Sequence, residues 1–152
     1  MRRSFLAVTG LIFGVLTVLA AQAVAQPDLR AQSMPLDVAA SLMAAGLRQD
    51  GFRGLQANVQ RCYEELERAG AERGLKVAET CILLDRAANA LVPPTGAPKE
   101  ASFLSGEAYR ARRAASAKVF FGGSVAAEDA YFDPRVRELL TRLRSASRPQ
   151  AQ

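Results

Sequence analysis

The chain contains no histidine and no tryptophan among its 152 residues. The lack of histidine excludes Ser-His-Asp triads, Cys-His catalytic pairs, c-type haem attachment and metal centres built on imidazole. The two cysteines do not by themselves supply the four ligands that zinc prefers. Aromatic residues make up 7% of the chain, so most of the few large rings are expected in the core. The composition therefore predicts no metal and no cofactor.

Familiar catalytic motifs are also missing, including a glycine-rich phosphate loop and the G-x-S-x-G nucleophile motif. Glu64, Glu65 and Glu67 are candidate acid/base carboxylates, but a solvated helix face that pairs with Arg61 and Arg68 explains them better. Asp85 adjoins an apolar stripe in CILLDRAANAL, where a carboxylate needs an arginine or tyrosine partner. The sequence thus predicts a protein that is not an enzyme.

The amino terminus has the pattern of a cleaved signal peptide. Arg2 and Arg3 precede an uncharged apolar stretch at 5–20, and AVA at 23–25 matches the small-x-small cleavage pattern. An uncleaved anchor is less favoured, because the apolar stretch is shorter than the ~20 residues that span a membrane. RRSFL also matches a twin-arginine core, although the general secretory route is favoured. We therefore expect cleavage between Ala25 and Gln26, a periplasmic or secreted product, and no transmembrane segment after cleavage.

Charge gives little evidence for nucleic acid. The chain carries 20 Lys+Arg and 15 Asp+Glu, and removal of residues 1–25 lowers the formal net charge from +5 to +3. Residues 99–152 hold the basic excess, ten basic against six acidic side chains. A nucleic-acid-binding protein needs a dense basic face, so no nucleic-acid partner is expected.

Apolar spacing predicts a single helical domain over 35–144, between a flexible leader at 26–34 and a disordered tail at 145–152. Helical stripes begin near Pro35, Leu55 and Gly74, and Gly51 and Gly70 act as stops. The proline-rich stretch at 92–100 is the expected linker. The fold class predicted is therefore all-α, a small helical bundle of four or five helices.

Two further helices are expected beyond the linker. One begins after Ser102 or Ser105 and ends at the Gly122-Gly123 pair. The other begins at Asp133-Pro134, with SVAAEDAYF before it as a turn or broken helix. The core is predicted to contain Leu55, Val59, Leu66, Leu84, Leu91, Val136, Leu140 and Leu143.

The cysteines are placed symmetrically about the turn at 70–74. Cys62 lies about eight helical residues before it, roughly 12 Å at 1.5 Å per residue, and Cys81 about as far after it. Each lies on the apolar stripe of its own helix, so an antiparallel hairpin would bring the sulfurs together. An oxidising compartment favours the Cys62–Cys81 disulfide, with intermolecular pairing or free thiols as alternatives.

Cys62-Tyr63, followed by Cys81-Ile82-Leu83-Leu84-Asp85, resembles a pattern in small exported helical proteins of Gram-negative bacteria. These carry a C-Y on one helix and a C-hydrophobic-hydrophobic-L-D on the next. The match covers residues 59–91. It implies the helix hairpin and its bridge, and transfers no activity or ligand.

Two functions from different classes remain. The first is a non-enzymatic interaction or scaffold protein of the cell envelope, with candidate aromatics Tyr109, Phe120, Phe121, Tyr131 and Phe132. The second is binding to an anion or a membrane surface through arginines, whose forked groups suit phosphate and carboxylate. The candidate surface for a partner or an anion consists of Arg110, Arg112, Arg113, Lys118, Arg135 and Arg137.

Overall fold

A computed structural model describes residues 29–69 and 74–146. Helix α1 spans Leu29–Ala69, α2 Gly74–Leu91, α3 Gly106–Phe120 and α4 Val125–Ala146, and a 3₁₀ helix spans Lys99–Leu104. Within these two ranges there is no strand, which confirms the all-α fold class. The predicted signal peptide at 1–25, the start of the leader, the turn at 70–73 and residues 147–152 lie outside the described residues.

Helix α1 is bent into two arms at Asp50 and Gly51. Gly51 has a φ of 57° and a ψ of −131°, a conformation that side chains with a Cβ rarely adopt. Across the bend Asn58 Nδ2 donates to the carbonyl of Leu42 at 2.8 Å. A Cβ added at Gly54 would lie 2.2 Å from the carbonyl oxygen of Gly46. These contacts join positions equidistant from the bend, so the arms fold back on each other.

The predicted stop at Gly51 therefore corresponds to a reversal of the chain rather than to the end of a separate helix. Helix α1 begins at Leu29, so residues 29–34 of the predicted flexible leader are helical. Pro35 is compatible with this helix only at a local cost, because it lacks the N–H that would bond to the carbonyl four residues earlier.

Helix α2 is the central element of the bundle. From Ala78 to Ala88 every side chain is buried except that of Thr80, which is half-buried. A helix that is apolar on most sides needs neighbours all round it, and α1, α3 and α4 supply them. The buried apolar core consists of Leu36, Ala39, Met43, Leu55, Val59, Ala78, Ile82, Leu83, Leu84, Ala87, Ala88, Leu104, Phe132, Val136 and Leu139.

Half of the eight predicted core residues are buried. The buried ones are Leu55, Val59, Leu84 and Val136. The other four pack against the margin of the core with part of their surface exposed: Leu66, Leu91, Leu140 and Leu143. The sequence stripes thus identify the correct helix faces but do not distinguish the centre of the core from its edge.

The connection after α2 has no helix at residues 92–98, and the 3₁₀ helix then begins at Lys99, inside the expected linker. Helix α3 covers the predicted segment, with Ser105 at its amino terminus. It is followed by Gly122 and Gly123, whose φ values are 59° and 85°. This positive φ suits glycine and ends the helix as predicted.

The predicted start of the last helix at Asp133-Pro134 is wrong, since α4 begins at Val125. Ser124 caps it: its hydroxyl accepts a hydrogen bond from the N–H of Ala127 at 3.1 Å. SVAAEDAYF is therefore the first part of α4, and Pro134 lies inside the helix. Proline has no N–H to donate to the carbonyl four residues earlier, so the hydrogen-bond ladder of α4 is interrupted there.

Candidate functional site

The two cysteines are joined as predicted. Cys62 of α1 and Cys81 of α2 form a disulfide with their Cα atoms 5.5 Å apart. This separation is shorter than ordinary helix packing, and the small buried side chain of Ala78 lies one turn before Cys81. Cys81 is fully buried and Cys62 half-buried. The disulfide fixes α2 against the second arm of α1.

A second cross-link lies beside the disulfide and is centred on Asp85, which is 2% exposed. The Tyr63 hydroxyl donates to Asp85 Oδ2 at 3.3 Å. Arg112 of α3 donates through Nε to Oδ2 at 2.7 Å and through Nη2 to Oδ1 at 2.8 Å. The structure therefore confirms that Asp85 has a buried structural partner, and it supplies both a tyrosine and an arginine.

The surroundings of Asp85 fix the arginine in place. Arg112 Nη2 also donates to the carbonyl of Phe103 at 2.9 Å, and its guanidinium stacks 4.1 Å from the Phe103 ring centroid. Burial raises the pKa of Asp85, while the bonds from Arg112 and Tyr63 act in the opposite direction. Burial and the Asp85 charge raise the pKa of Tyr63, so the phenol stays protonated and acts as a donor.

Glu79, six residues before Asp85 on α2, has a similar arrangement. The Tyr131 hydroxyl donates to Glu79 Oε1 at 3.2 Å, and Arg135 forms an ion pair with the same oxygen. The guanidinium of Arg135 lies 4.2 Å from the Tyr131 ring centroid. Each of these two buried carboxylates on α2 thus accepts a hydrogen bond from a tyrosine and pairs with an arginine, and each arginine lies against an aromatic ring.

A third group of charges connects α4 to α2 and α3. We call it the α4 clasp and define it as Arg86, Arg113, Glu128, Asp129 and Asp133. Arg86 Nη2 donates to Asp129 Oδ1 at 2.7 Å and to Asp133 Oδ1 at 2.5 Å. Arg113 also pairs with Asp129. Glu128 Oε2 lies 3.7 Å from Arg86 Nη1 and 3.6 Å from Arg113 Nε. Two carboxylates therefore each contact both guanidinium groups.

The clasp is buried at its centre. Glu128 has no exposed surface, and Ser116 Oγ donates to its Oε1 at 2.8 Å. Three atoms around Glu128 are buried without a hydrogen bond of their own: Arg86 Nη1, Arg113 Nε and Glu128 Oε2. The side chains of Arg86, Arg113 and Glu128 line a narrow cleft, too small for a water molecule, together with the half-buried Tyr109.

The electrostatics of the clasp favour the charged forms of Asp129 and Arg86. Partial burial acts to raise the pKa of Asp129, but hydrogen bonds and charge from Arg86 and Arg113 hold that pKa below its usual value. Burial acts to lower the pKa of Arg86, but hydrogen bonds to Asp129 and Asp133 raise it. The arrangement is that of a structural ion-pair network.

The predicted basic surface is divided by this arrangement. Arg112, Arg113 and Arg135 lie in the internal ion pairs described above. The side chains of Arg110, Lys118 and Arg137 are exposed. The six residues thus belong to two sets, three that hold the bundle together and three on its surface.

Three of the five predicted aromatic residues, Phe121, Tyr131 and Phe132, pack together at the corner between α3 and α4. Phe132 is fully buried, and Tyr109, Phe120, Phe121 and Tyr131 are half-buried. Ring centroids lie 4.9 Å apart for Tyr131–Phe132 and 5.6 Å for Phe121–Tyr131. These rings mainly pack the corner, as a chain with few aromatic residues requires.

Arg86 and the carboxylates of α4 were not among the residues predicted from the sequence to form a site. With the last helix assigned to begin at Asp133, Glu128 and Asp129 fell in a turn and no shared helix face was apparent. The Ser124 cap was the feature that could have moved the helix start to Val125. On a helix, Asp129 and Asp133 are four residues apart and lie on one face.

In the described parts of the chain, no group of three or more Cys, Asp or Glu side chains is arranged to hold a metal ion. None of the helices over 29–69 and 74–146 combines the length and apolar character needed to cross a membrane. Comparison with protein-family models, with curated proteins and with solved structures finds no match for this chain.

Proposed function

We propose that this chain is an exported, non-enzymatic interaction or scaffold protein of the cell envelope. The main observation in support is that the buried ionisable side chains form ion pairs with one another. Glu79, Asp85, Arg86 and Glu128 are each in contact with opposite charges from a neighbouring helix. Side chains used in this way stabilise a rigid bundle. The signal-peptide pattern at 1–25 and the disulfide support export.

The surface that fits such a role best is the outer face of α3. Its exposed side chains cover half of the helix circumference, and four of the eight are alanine: Glu107, Ala108, Arg110, Ala111, Ala114, Ala115, Lys118 and Val119. Val119 is 70% exposed, the most exposed of the large apolar side chains in the described residues. Small side chains let another backbone approach closely and lose little entropy on binding. Arg110 and Lys118 would favour a protein partner with carboxylates at the rim of its interface.

The alternative function, binding to an anion or a membrane surface, has weaker support. Arg110, Lys118 and Arg137 remain exposed, but the other three candidate side chains already have carboxylate partners. A further arginine of α4, Arg142, pairs with Asp37 at 2.5 Å and with Glu138 at 2.5 Å. The basic excess of the second half is thus partly neutralised within the molecule.

The test is capture from envelope extract on immobilised chain beginning at Gln26. Ala115→Glu places a bulky acid on the α3 face, and Ala57→Glu makes the matched change at an exposed alanine of α1. We expect one protein to be retained by the wild type and by Ala57→Glu and lost with Ala115→Glu. No retained protein, or equal retention by both variants, would contradict the proposal for α3.

A vesicle assay separates the alternative. Binding to vesicles that contain anionic lipid, weakening as salt is raised from about 0.05 to 0.5 M, would support the membrane-surface function. Arg110→Glu should then abolish that binding, while Ala115→Glu should weaken it to a smaller extent. We expect no binding to these vesicles.

A further inference from the structure

We propose that the α4 clasp is an acid-sensitive latch, which holds the first half of α4 against α2 and α3 and releases it when its carboxylates are protonated. The proposal concerns a conformational change of the bundle and does not depend on the function proposed above. It rests on the charges that meet at the clasp, on their burial and on the interruption of α4 at Pro134.

The geometry makes the carboxylates essential for keeping two cations together. Glu128 and Asp129 each contact both Arg86 and Arg113. An arginine keeps its charge at any pH at which the protein is folded. Once Glu128, Asp129 and Asp133 are protonated, two guanidinium groups face each other, and Arg86 is 92% buried (8% exposed). Like charges with little access to water repel strongly.

No other group at the clasp can replace the lost negative charge. From α1 and α3, Tyr63 and Tyr109 face it, and burial raises the pKa of both phenols, so they stay neutral in acid. From α2, Asp85 lines the same cleft, but it is paired with Arg112 in a bidentate ion pair. The remaining lining side chains, Ile82 and Ser116, carry no charge.

The direction of the pH dependence follows from Asp129. Its pKa is lowered in the folded protein, so its contribution to stability is present above the ordinary value of about 3.9. That contribution is lost as the pH falls through the ordinary value toward the lowered one. The latch is therefore closed at neutral pH and opens as the pH falls below about 3.9 toward the lowered pKa of Asp129.

Pro134 allows one half of α4 to move while the other stays. The ladder of helix hydrogen bonds is interrupted there, between the clasp residues and the segment that carries Val136 and Leu139 into the core. At the other end, Gly122 and Gly123 provide a second flexible joint. Release of residues 125–133 would expose Phe132 and its neighbouring rings.

The test is hydrogen exchange with mass spectrometry on the disulfide-bonded chain from pH 7 to about pH 2.5, corrected for the intrinsic exchange rate at each pH. We expect protection in 125–133 to fall at least about tenfold at a pH where 52–69 and 74–91 remain protected. Simultaneous loss in all three segments, or no loss in 125–133 by about pH 2.5, would overturn the latch.

A pair of variants makes the assignment specific. Asp133→Asn removes a half-exposed anion that bonds to Arg86, and it should shift the opening to higher pH by about half a unit or more. Glu64→Gln removes an exposed carboxylate of α1 and should leave the opening unchanged. An equal shift for both variants, or none for Asp133→Asn, would refute the proposal. Because Asp133 is exposed, that variant is expected to fold at neutral pH.

Discussion

Arg112→Ala is the substitution that most directly tests the cross-link around Asp85. It removes the two charge-assisted hydrogen bonds to the carboxylate, the bond to the Phe103 carbonyl and the stacking on the Phe103 ring. Asp85 is 2% exposed in the intact protein, and of its three donor bonds only the one from Tyr63 would be left. Removing one partner of a buried ion pair costs about 3 to 5 kcal/mol. We expect a loss in that range, which is a large share of the stability of a small domain.

The assay is urea unfolding followed by circular dichroism, and the control is Arg110→Ala, two residues earlier on the exposed face of α3. The control should change the free energy of unfolding by less than about 0.5 kcal/mol. Asp85→Asn should cost less than Arg112→Ala, because burial already raises the pKa of Asp85 and so disfavours its charged form. A loss below about 1 kcal/mol for Arg112→Ala would show that this ion pair does not support the fold.

Four other results are expected. Replacing Cys62 and Cys81 by alanine should lower stability by about 3 kcal/mol in thermal unfolding, because the disulfide closes a loop with a sequence separation of 19, and reductant should reproduce the effect. Gly54→Ala should cost at least about 2 kcal/mol in urea unfolding, since its Cβ would collide with backbone of the opposing arm. Leu66→Ala should cost less than about 2 kcal/mol by the same measurement, because the side chain is half-buried at the core margin. Mass spectrometry of the expressed protein should find the chain beginning at Gln26.

Local patterns in the sequence were sufficient for the fold class and the disulfide. The stripes through Leu55, Val59 and Leu84 have helical spacing, and these side chains are buried. Glycine at 122 and 123 ends α3 because of its backbone freedom, and this property is visible in the sequence. The level placement of Cys62 and Cys81 needed only the rise of a helix and the position of one turn.

The clasp and the fold-back of α1 depend on tertiary contacts that no local pattern encodes. Asp133-Pro134 has the composition of a helix start, yet packing of Phe132 and the pairing of Asp129 with Arg86 continue α4 through it. Gly46 and Gly54 look unremarkable in sequence, because their importance arises from the close approach of two arms. Partners separated by 43 or 47 residues, as for Arg86, are likewise not visible from spacing alone.

The Tyr63–Asp85 contact gives the C-Y and C-x-x-x-D elements of the sequence one shared physical meaning. The two cysteines, Cys62 and Cys81, form the disulfide. The tyrosine of the first element and the aspartate of the second are joined by a hydrogen bond at the same level of the hairpin. Arg112 adds a third element, 27 residues after Asp85. In related sequences, the residues at the positions of Tyr63, Asp85 and Arg112 are therefore expected to change together. Chains that lose the aspartate should also lose the arginine, and chains that keep one cross-link without the other would be informative intermediates.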